Sequence, residues 1–529
     1  MSIEKNNYTI LYFLDYGKRF GGAANTLIQQ AILMKKAGYS TVLFFSDYLG
    51  TQLHEEYKEI CVSLGIEYEW ATYQISSHTE DIDLVCLNEN YEKLRDKIIS
   101  YQPALLHSVQ INPCVELISR ECKIPHIMNI YPALPQFFSI DYMNIFPHYH
   151  ICDSRIYARM WQQYLHTDST CIRTVVNIET FPKKETLKPF LRCICAGSLY
   201  KRKNQLTVIK AFHRVLRAGI HGKLTLCGYA EGDYGSECVR YIEENSLQYD
   251  IVIKGFCSDM NQEYLQHDIL ICGSMRESYP NVISEAMANG LVVVSTPVAG
   301  VPEIIMDGEN GYLAQDYSVD ALYKKIIQVH ADIKSGRIES VIAKAEETFW
   351  KKHSPKAVTK QLIQYYQHVI DDYKQGNDIA SDRELINIAT IRASFSFLLE
   401  KFYRHQESFR EPDKVALKLW YLYHIQGALR EAVARKSSFY IWGTGRYGVV
   451  VKQIVETFIP EVQIAGFLDS YRTGEFQGYK TYQPDEIMQR ENTVIFLAIA
   501  NGQEEIVELL EERKLVFNRD FFILSVRRW

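Results

Sequence analysis

No cysteine follows Cys272, and the 12 cysteines, beginning at Cys61, include no Cys-x-x-Cys pair. Cys193 and Cys195 alternate within an apolar strand-like run, where two side chains share a face without forming a plausible bridge. Buried, reduced thiols are therefore expected in place of a disulfide framework. The start, MSIEKNNYTILYFL, lacks a basic segment followed by a long apolar stretch and a cleavage site. Uninterrupted apolar runs of membrane-spanning length are missing as well. These absences predict a cytoplasmic, reduced protein without a transmembrane segment, and leave contact with the inner membrane surface open. Charge of one sign is also scarce: a net charge of −6 gives no global basic field, so nucleic acid is not an expected partner. Long internal repeats, low-complexity tracts and an obligatory metal cluster are not visible.

What is present is ample core-forming material. The 529 residues are 47% hydrophobic and 23% charged, a length that implies three or four domains. The 36 tyrosines suit carbohydrate-facing surfaces, although core and sheet positions account for most of them. From Tyr8 onward short apolar runs alternate with amphipathic ones: TILYFL, NTLIQQAILMKKAG, TVLFFS. The pattern restarts at RCICAGSLY and continues through KLTLCGY, DILICGS and LVVVSTP. Such alternation predicts parallel sheets built from βαβ units. Residues 1–185 and 186–375 read as two α/β domains with a polar seam near Ile178–Lys188. Residues 376–436 carry the stripe Leu385, Ile388, Ile391, Phe395, Leu398, Phe402 and then a second run through Trp420 and Leu429, which predicts a helical hairpin. Residues 437–529 return to α/β as one small module.

The most informative stretch is RESYPNVISEAMANG, directly after DILICGS. Pro280 suits a first helical turn, which puts Glu277 on the preceding loop and Glu285 inside the helix. Both acids can then converge on a ligand at the carboxyl end of a strand, where open α/β sheets bind. The helix start at Asn281 and Val282 offers unpaired N–H groups and a positive dipole end to a diphosphate. A second block places the Gly197 turn and three cations, Lys201, Arg202 and Lys203, between a strand and a helix. A third, TPVAGVPEIIMDGENGYL, has a tight turn at Gly300 followed by Glu303.

In these blocks, residues 8–370 resemble glycosyltransferase family 4, the retaining GT-B enzymes. The resemblance implies a GT-B fold of two Rossmann-like domains, here followed by the helical hairpin and a third small Rossmann-like domain. It implies that Glu277 contacts donor sugar hydroxyls, Glu285 the ribose and Lys203 the phosphates, with Gly21 and Gly22 approaching the donor from the N-terminal side. An arginine common after the turn glycine is Ser198 here, so its contact passes to Arg202 or is absent. The common Asn-Gly-Val-Asp reads Asn177-Ile178-Glu179-Thr180. The place of a frequent histidine near the reaction centre holds Asn129 to Tyr131, and His126 comes too early; His107 has two readings, a sugar contact or a satisfied core histidine.

The implied chemistry is retaining, metal-independent transfer from a nucleotide-diphosphate sugar to a glycan, polysaccharide or similar acceptor. The donor is a co-substrate, and no further cofactor is expected. Fixed cations and a helix N-terminus would stabilise the departing diphosphate. Asp81-Ile82-Asp83 is an Asp-x-Asp read as a solvated turn. Two alternatives stand beside transfer: a nucleotide-sugar epimerase on the same fold, and a nucleotide-sugar-binding scaffold or sensor. In the last module Gly443, Gly445 and Gly448 follow a strand and open a helix, and Asp469 ends the next strand, as a dinucleotide fingerprint requires. Nucleotide binding and a purely structural scaffold both remain open for it.

Overall fold

The computed structural model describes residues 8–14, 22–48, 55–75, 84–110, 112–130, 147–165, 167–176, 178, 180–182, 186–230, 232–257, 259–275, 277–376, 401–402, 404–409, 415, 419–499, 503–516 and 519–524. Gly21, Asp81-Ile82-Asp83, Tyr131, Asn177, Glu179, Arg276 and the stripe from Leu385 to Leu398 lie outside the described residues. Among the described residues the chain forms three sheets.

The first sheet has seven parallel strands in the order Glu67–Ala71, Ser40–Ser46, Thr9–Leu14, Leu105–Val109, His126–Ile130, Tyr149–Cys152, Asp168–Cys171. Helices cover both faces, which is why TILYFL is apolar without alternation and buried from Ile10 to Leu14. Full burial of each such large side chain contributes about 1.5–3 kcal/mol. The second sheet runs Ile251–Gly255, Gly222–Cys227, Leu191–Ala196, Ile269–Cys272, Val292–Ser295, Tyr312–Leu313, again parallel. In each sheet the strand order reverses beside the first strand, and the carboxyl ends at that reversal form a natural crevice.

The chain crosses between these units twice. It leaves the first sheet through Ile172 and Val175, whose side chains belong to that unit's core, and enters the second at Leu187. It returns at His353 and Ser354. The Ser354 hydroxyl caps the next helix, Pro355–Lys374, by accepting from the Ala357 N–H at 3.3 Å, and Pro355 occupies its first turn. This helix falls within the range read as the second domain, yet it packs on the first. Val358, Leu362, Tyr366 and Val369 share one apolar cluster with Ile10, Tyr12, Leu27 and Ile28. At the crossing the Val176 N–H donates to the His353 carbonyl at 3.2 Å, so the two connections hold each other.

The third sheet runs Gly474–Phe476, Tyr479–Tyr482, Ile464–Leu468, Ser438–Trp442, Thr493–Leu497, Phe521–Ile523, with its outermost strand Gly474–Phe476 antiparallel. The described part of the expected hairpin is the helix Leu419–Ala434 with neighbouring residues, of which Phe402, Phe409 and Leu422 are buried. They join an apolar cluster that extends from the first sheet's helices, at Leu94 and Trp161, to Phe439 and Phe467 of the third sheet.

Candidate functional site

At the reversal point of the second sheet, strand Leu191–Ala196 runs into Gly197. Its φ of +123° is strained for any L side chain, and a Cβ there would stand 3.7 Å from Lys203 Cε. That distance is ordinary van der Waals contact, so the backbone conformation and not space calls for glycine there. Lys203 ends the short turn Lys201–Lys203, tied to the neighbouring strand's exit where the Met275 N–H donates to the Arg202 carbonyl at 2.8 Å. Lys203 Nζ and Arg202 Nη1 each lie 2.6 Å from the same oxygen, Glu277 Oε1. Lys203 and Glu277 are largely buried, while Arg202 is half exposed.

Glu277 lies on the loop and Glu285 inside the helix Asn281–Ala288. Pro280 is the residue before that helix and not within its first turn, with φ −69° and ψ 112°, and it supplies no side-chain cap. Asn281 and Val282 therefore begin the helix, whose first turn carries no acid. Glu285 Oε2 accepts a hydrogen bond from the Tyr264 hydroxyl at 2.7 Å. Burial raises the Glu285 carboxyl above its ordinary range, opposed by Tyr264 and by the Lys203 charge.

The facing wall comes from the first unit. A Cβ on Gly22 would lie 3.6 Å from Asn281 Nδ2, so the starts of the helices Gly22–Lys36 and Asn281–Ala288 meet across the gap. Neither helix has an acid in its first turn. Two positive dipole ends thus meet at the gap between the units. A cavity of about 330 Å³ opens where these helix starts meet, lined by Asn25, Thr26 and Gln29 on one side and Asn261, Asn281 and Glu285 on the other; Lys203, Arg202 and Glu277 are not among its lining residues.

Beside this gap a second set of residues joins the units; the sequence marked Gly300 and Glu303 as a turn, but did not single out Asp153, Arg155, Arg173 or Ser278. Glu303 accepts from the backbone N–H groups of Arg155 and Ile156, both at 3.0 Å, and so caps the helix Arg155–Leu165 of the other unit. It also takes Arg173 Nη2 at 2.5 Å. Asp153, 6% exposed, accepts from the Ser278 hydroxyl, one residue from Glu277. Burial pushes the Asp153 carboxyl up to about 7 against the pull of Ser278 and Arg173. Gly300 has an ordinary φ of −76°; what demands glycine there is space, since a Cβ would come within 2.6 Å of Ser154 Cβ. The expected tight turn is a point of close contact between units. The signal was hidden because each partner lies more than a hundred residues away in the chain.

His107 is fully buried in the first unit and does not reach the crevice. Its Nε2 donates to Asn129 Oδ1 at 2.9 Å and its Nδ1 accepts from the Tyr366 hydroxyl at 2.7 Å. Burial pushes its pKa down to about 3, so the ring stays neutral. Of the two readings, the core histidine describes this position. Asn129 continues the network to Gln30 at 2.8 Å, and His126 is tied up with Glu116 and Ser108, both at 2.8 Å.

In the third unit a Cβ on Gly443 would lie 2.6 Å from the Ala498 carbonyl oxygen, and one on Gly448 2.1 Å from that of Gly443. Gly445 faces open space at the start of the helix Arg446–Phe458. Asp469 is turned back onto its own chain: it accepts from the Thr444 hydroxyl and from the N–H groups of Tyr471 and Arg472, at 2.8 and 3.0 Å.

Residues 177–345 match the family described as "Glycosyl transferases group 1". Over 176 residues the chain is 24% identical to N-acetyl-alpha-D-glucosaminyl L-malate synthase of Bacillus anthracis, covering 33% of this chain and 45% of that protein. Over 142 residues it is 27% identical to poly(glycerol-phosphate) alpha-glucosyltransferase of Bacillus subtilis, covering 27% and 21%. The chain thus spans less than half the length of either curated relative. Among solved structures, a glycosyltransferase from Rickettsia africae superposes with a TM-score of 0.58 at 16% identity, covering 69% of this chain and 100% of that one. Anabaena HepE in complex with UDP gives 0.54 at 18%, covering 68% and 99%. At such identities the likeness is one of architecture, and the first two units have the GT-B fold.

Proposed function

We propose that this protein transfers a sugar from a nucleotide-diphosphate sugar to a glycan-type acceptor, with retention of configuration. The observation that carries this reading is the meeting of Lys203, Arg202 and Glu277 at 2.6 Å, on the unit whose acid-free helix start at Asn281 meets the start of the helix Gly22–Lys36. Such an array suits a departing diphosphate: cations already held in place and helix starts without acids need little reorganisation as charge develops. The match of residues 177–345 to the glycosyl transferase family covers the same Lys203, Glu277 and Glu285.

In this reading Glu285 binds the ribose hydroxyls. Glu277 releases part of its hold on Lys203 to the phosphate and hydrogen-bonds the sugar. The bond from the anomeric carbon to the diphosphate oxygen breaks, and the acceptor oxygen bonds that carbon on the same face. The acceptor's proton passes to the departing phosphate oxygen, so the transfer needs neither a protein nucleophile nor a metal ion. The acceptor enters from the first unit, beside Asn25 and Gln29. Among the described residues no helix is long and apolar enough to cross a membrane.

The test is calorimetric titration of the full chain with UDP-, GDP- and ADP-sugars, followed by NMR of the product formed with a glycan extract. Binding followed by transfer with the donor's anomeric configuration kept is the expected result. Inverted product would overturn retention. Tight binding with no transfer would favour a sensor, and a changed sugar from donor alone would favour an epimerase.

A further inference from the structure

Cys227 ends the strand Gly222–Cys227, Cys257 follows the strand Ile251–Gly255 by two residues, and Glu263 lies in the helix Met260–Gln266. One sulfur from each cysteine and one carboxylate oxygen of Glu263 lie within 4.8 Å of one another. Cys227 is 3% and Glu263 8% exposed. Lys254 donates to Glu263 Oε1, but Oε2 is buried without a partner among the described residues. A buried carboxylate oxygen left unsatisfied is costly, and such exceptions call for an explanation. The proposed sugar transfer uses none of these three side chains.

We propose that Cys227, Cys257 and Glu263 form a site for a thiophilic divalent cation of the zinc type, which braces the donor-side unit. Two sulfurs with one carboxylate disfavour magnesium and calcium, which take oxygen ligands, and suit zinc. Zinc bonds of about 2.3 Å to sulfur and 2.0–2.2 Å to oxygen set tetrahedral donors roughly 3.5–3.8 Å apart, so no donor pair has to close by more than about 1 Å on loading. A water completes the fourth position, and uptake releases the two thiol protons to solvent. The ion joins the ends of two adjacent strands to a helix. That helix also carries Tyr264, the hydrogen-bond partner of Glu285, and Asn261, which lines the cavity. The ion's part is to hold these elements in place, apart from the transfer step itself.

Cobalt(II) titration of the full chain, purified with chelator and reductant, tests this directly. Thiolate ligation gives a sulfur-to-cobalt charge-transfer absorption that oxygen and nitrogen ligands cannot produce. The expected result is a saturable band displaced by one equivalent of zinc, with the melting temperature raised by zinc. Cys257 is only partly buried, so Cys257→Ser is the variant expected to fold, with circular dichroism as the check. It should abolish the band and weaken zinc by more than the ~10–100-fold that outer-shell changes cost. Glu263→Gln should keep the band while weakening the ion. A surface cluster of Asp168, His368 and Asp372 could also take a cation, but it has no sulfur. His368→Ala should therefore leave the band unchanged. No band in the wild type, or a band that survives in Cys257→Ser, would overturn the proposal.

Discussion

In the proposed transfer Lys203 would meet the donor's phosphates and Glu285 its ribose, so their loss should read differently. Lys203→Ala removes a cation aimed at developing charge, and should cut kcat by roughly 10²–10³-fold with a smaller change in KM, as loss of one preorganised donor does. Steady-state kinetics check the split; unchanged kcat would remove Lys203 from the phosphate role. Glu285→Ala removes hydrogen bonds of a charged group, each about 1.5–3 kcal/mol, and should weaken donor binding roughly 10–100-fold by calorimetry. The placement of Lys203 on a turn and Glu285 in a helix was legible in the sequence, because strand, turn and helix follow in direct succession and a few residues fix their relation to the sheet edge. Tyr264 was not, since nothing in its local pattern marks a tyrosine that will meet a carboxylate 21 residues further on.

At the level of elements, the helix Arg155–Leu165 has its first N–H groups satisfied by Glu303 of the other unit. Glu303→Gln leaves the shape but removes the charge that Arg173 meets at 2.5 Å. Breaking a pair this enclosed costs about 3 kcal/mol or more. Chemical denaturation should show the loss, and a double-mutant cycle with Arg173→Met should show coupling. Gly300→Ala drives a Cβ to 2.6 Å from Ser154 and should force the units apart. The expected readout is lost transfer with the second sheet's hydrogen-exchange protection retained. The helix Pro355–Lys374 teaches a related lesson. Its Ser-Pro start and amphipathic stripe are plain in the sequence, but a stripe does not say which sheet it will cover.

For the whole molecule the junction between units carries a pH dependence. The Asp153 carboxyl titrates near about 7 in the folded chain because burial disfavours its charge. A folded-state pKa above the unfolded one means that the folded chain holds the extra proton. Stability from this group is therefore fullest in acid, and is lost as pH rises from the usual carboxylate value toward about 7. Asp153→Asn cannot ionise. Its melting temperature relative to wild type should climb through that window and level off above it. A constant difference across the window would show that Asp153 is not the group responsible. The third unit joins the same body through the cluster linking Trp161, Phe402 and Phe439. Its excision should therefore expose apolar surface on the first unit and lower the melting temperature of what remains.

By itself the sequence determined the βαβ alternation, the three α/β modules and the block from Gly197 to Glu285. Each of these depends on periodicity or on turns closed within a few residues. Only the tertiary structure decided that His107 is a neutral core residue, that Asp469 is occupied by its own loop, and that Gly300 is a contact. It also decided that Asp153, Ser278, Arg173 and Glu303 form one junction. These facts depend on which surfaces meet after two crossings of the chain. Pairing across more than a hundred residues leaves no local trace, because burial and charge partners are properties of the assembled fold.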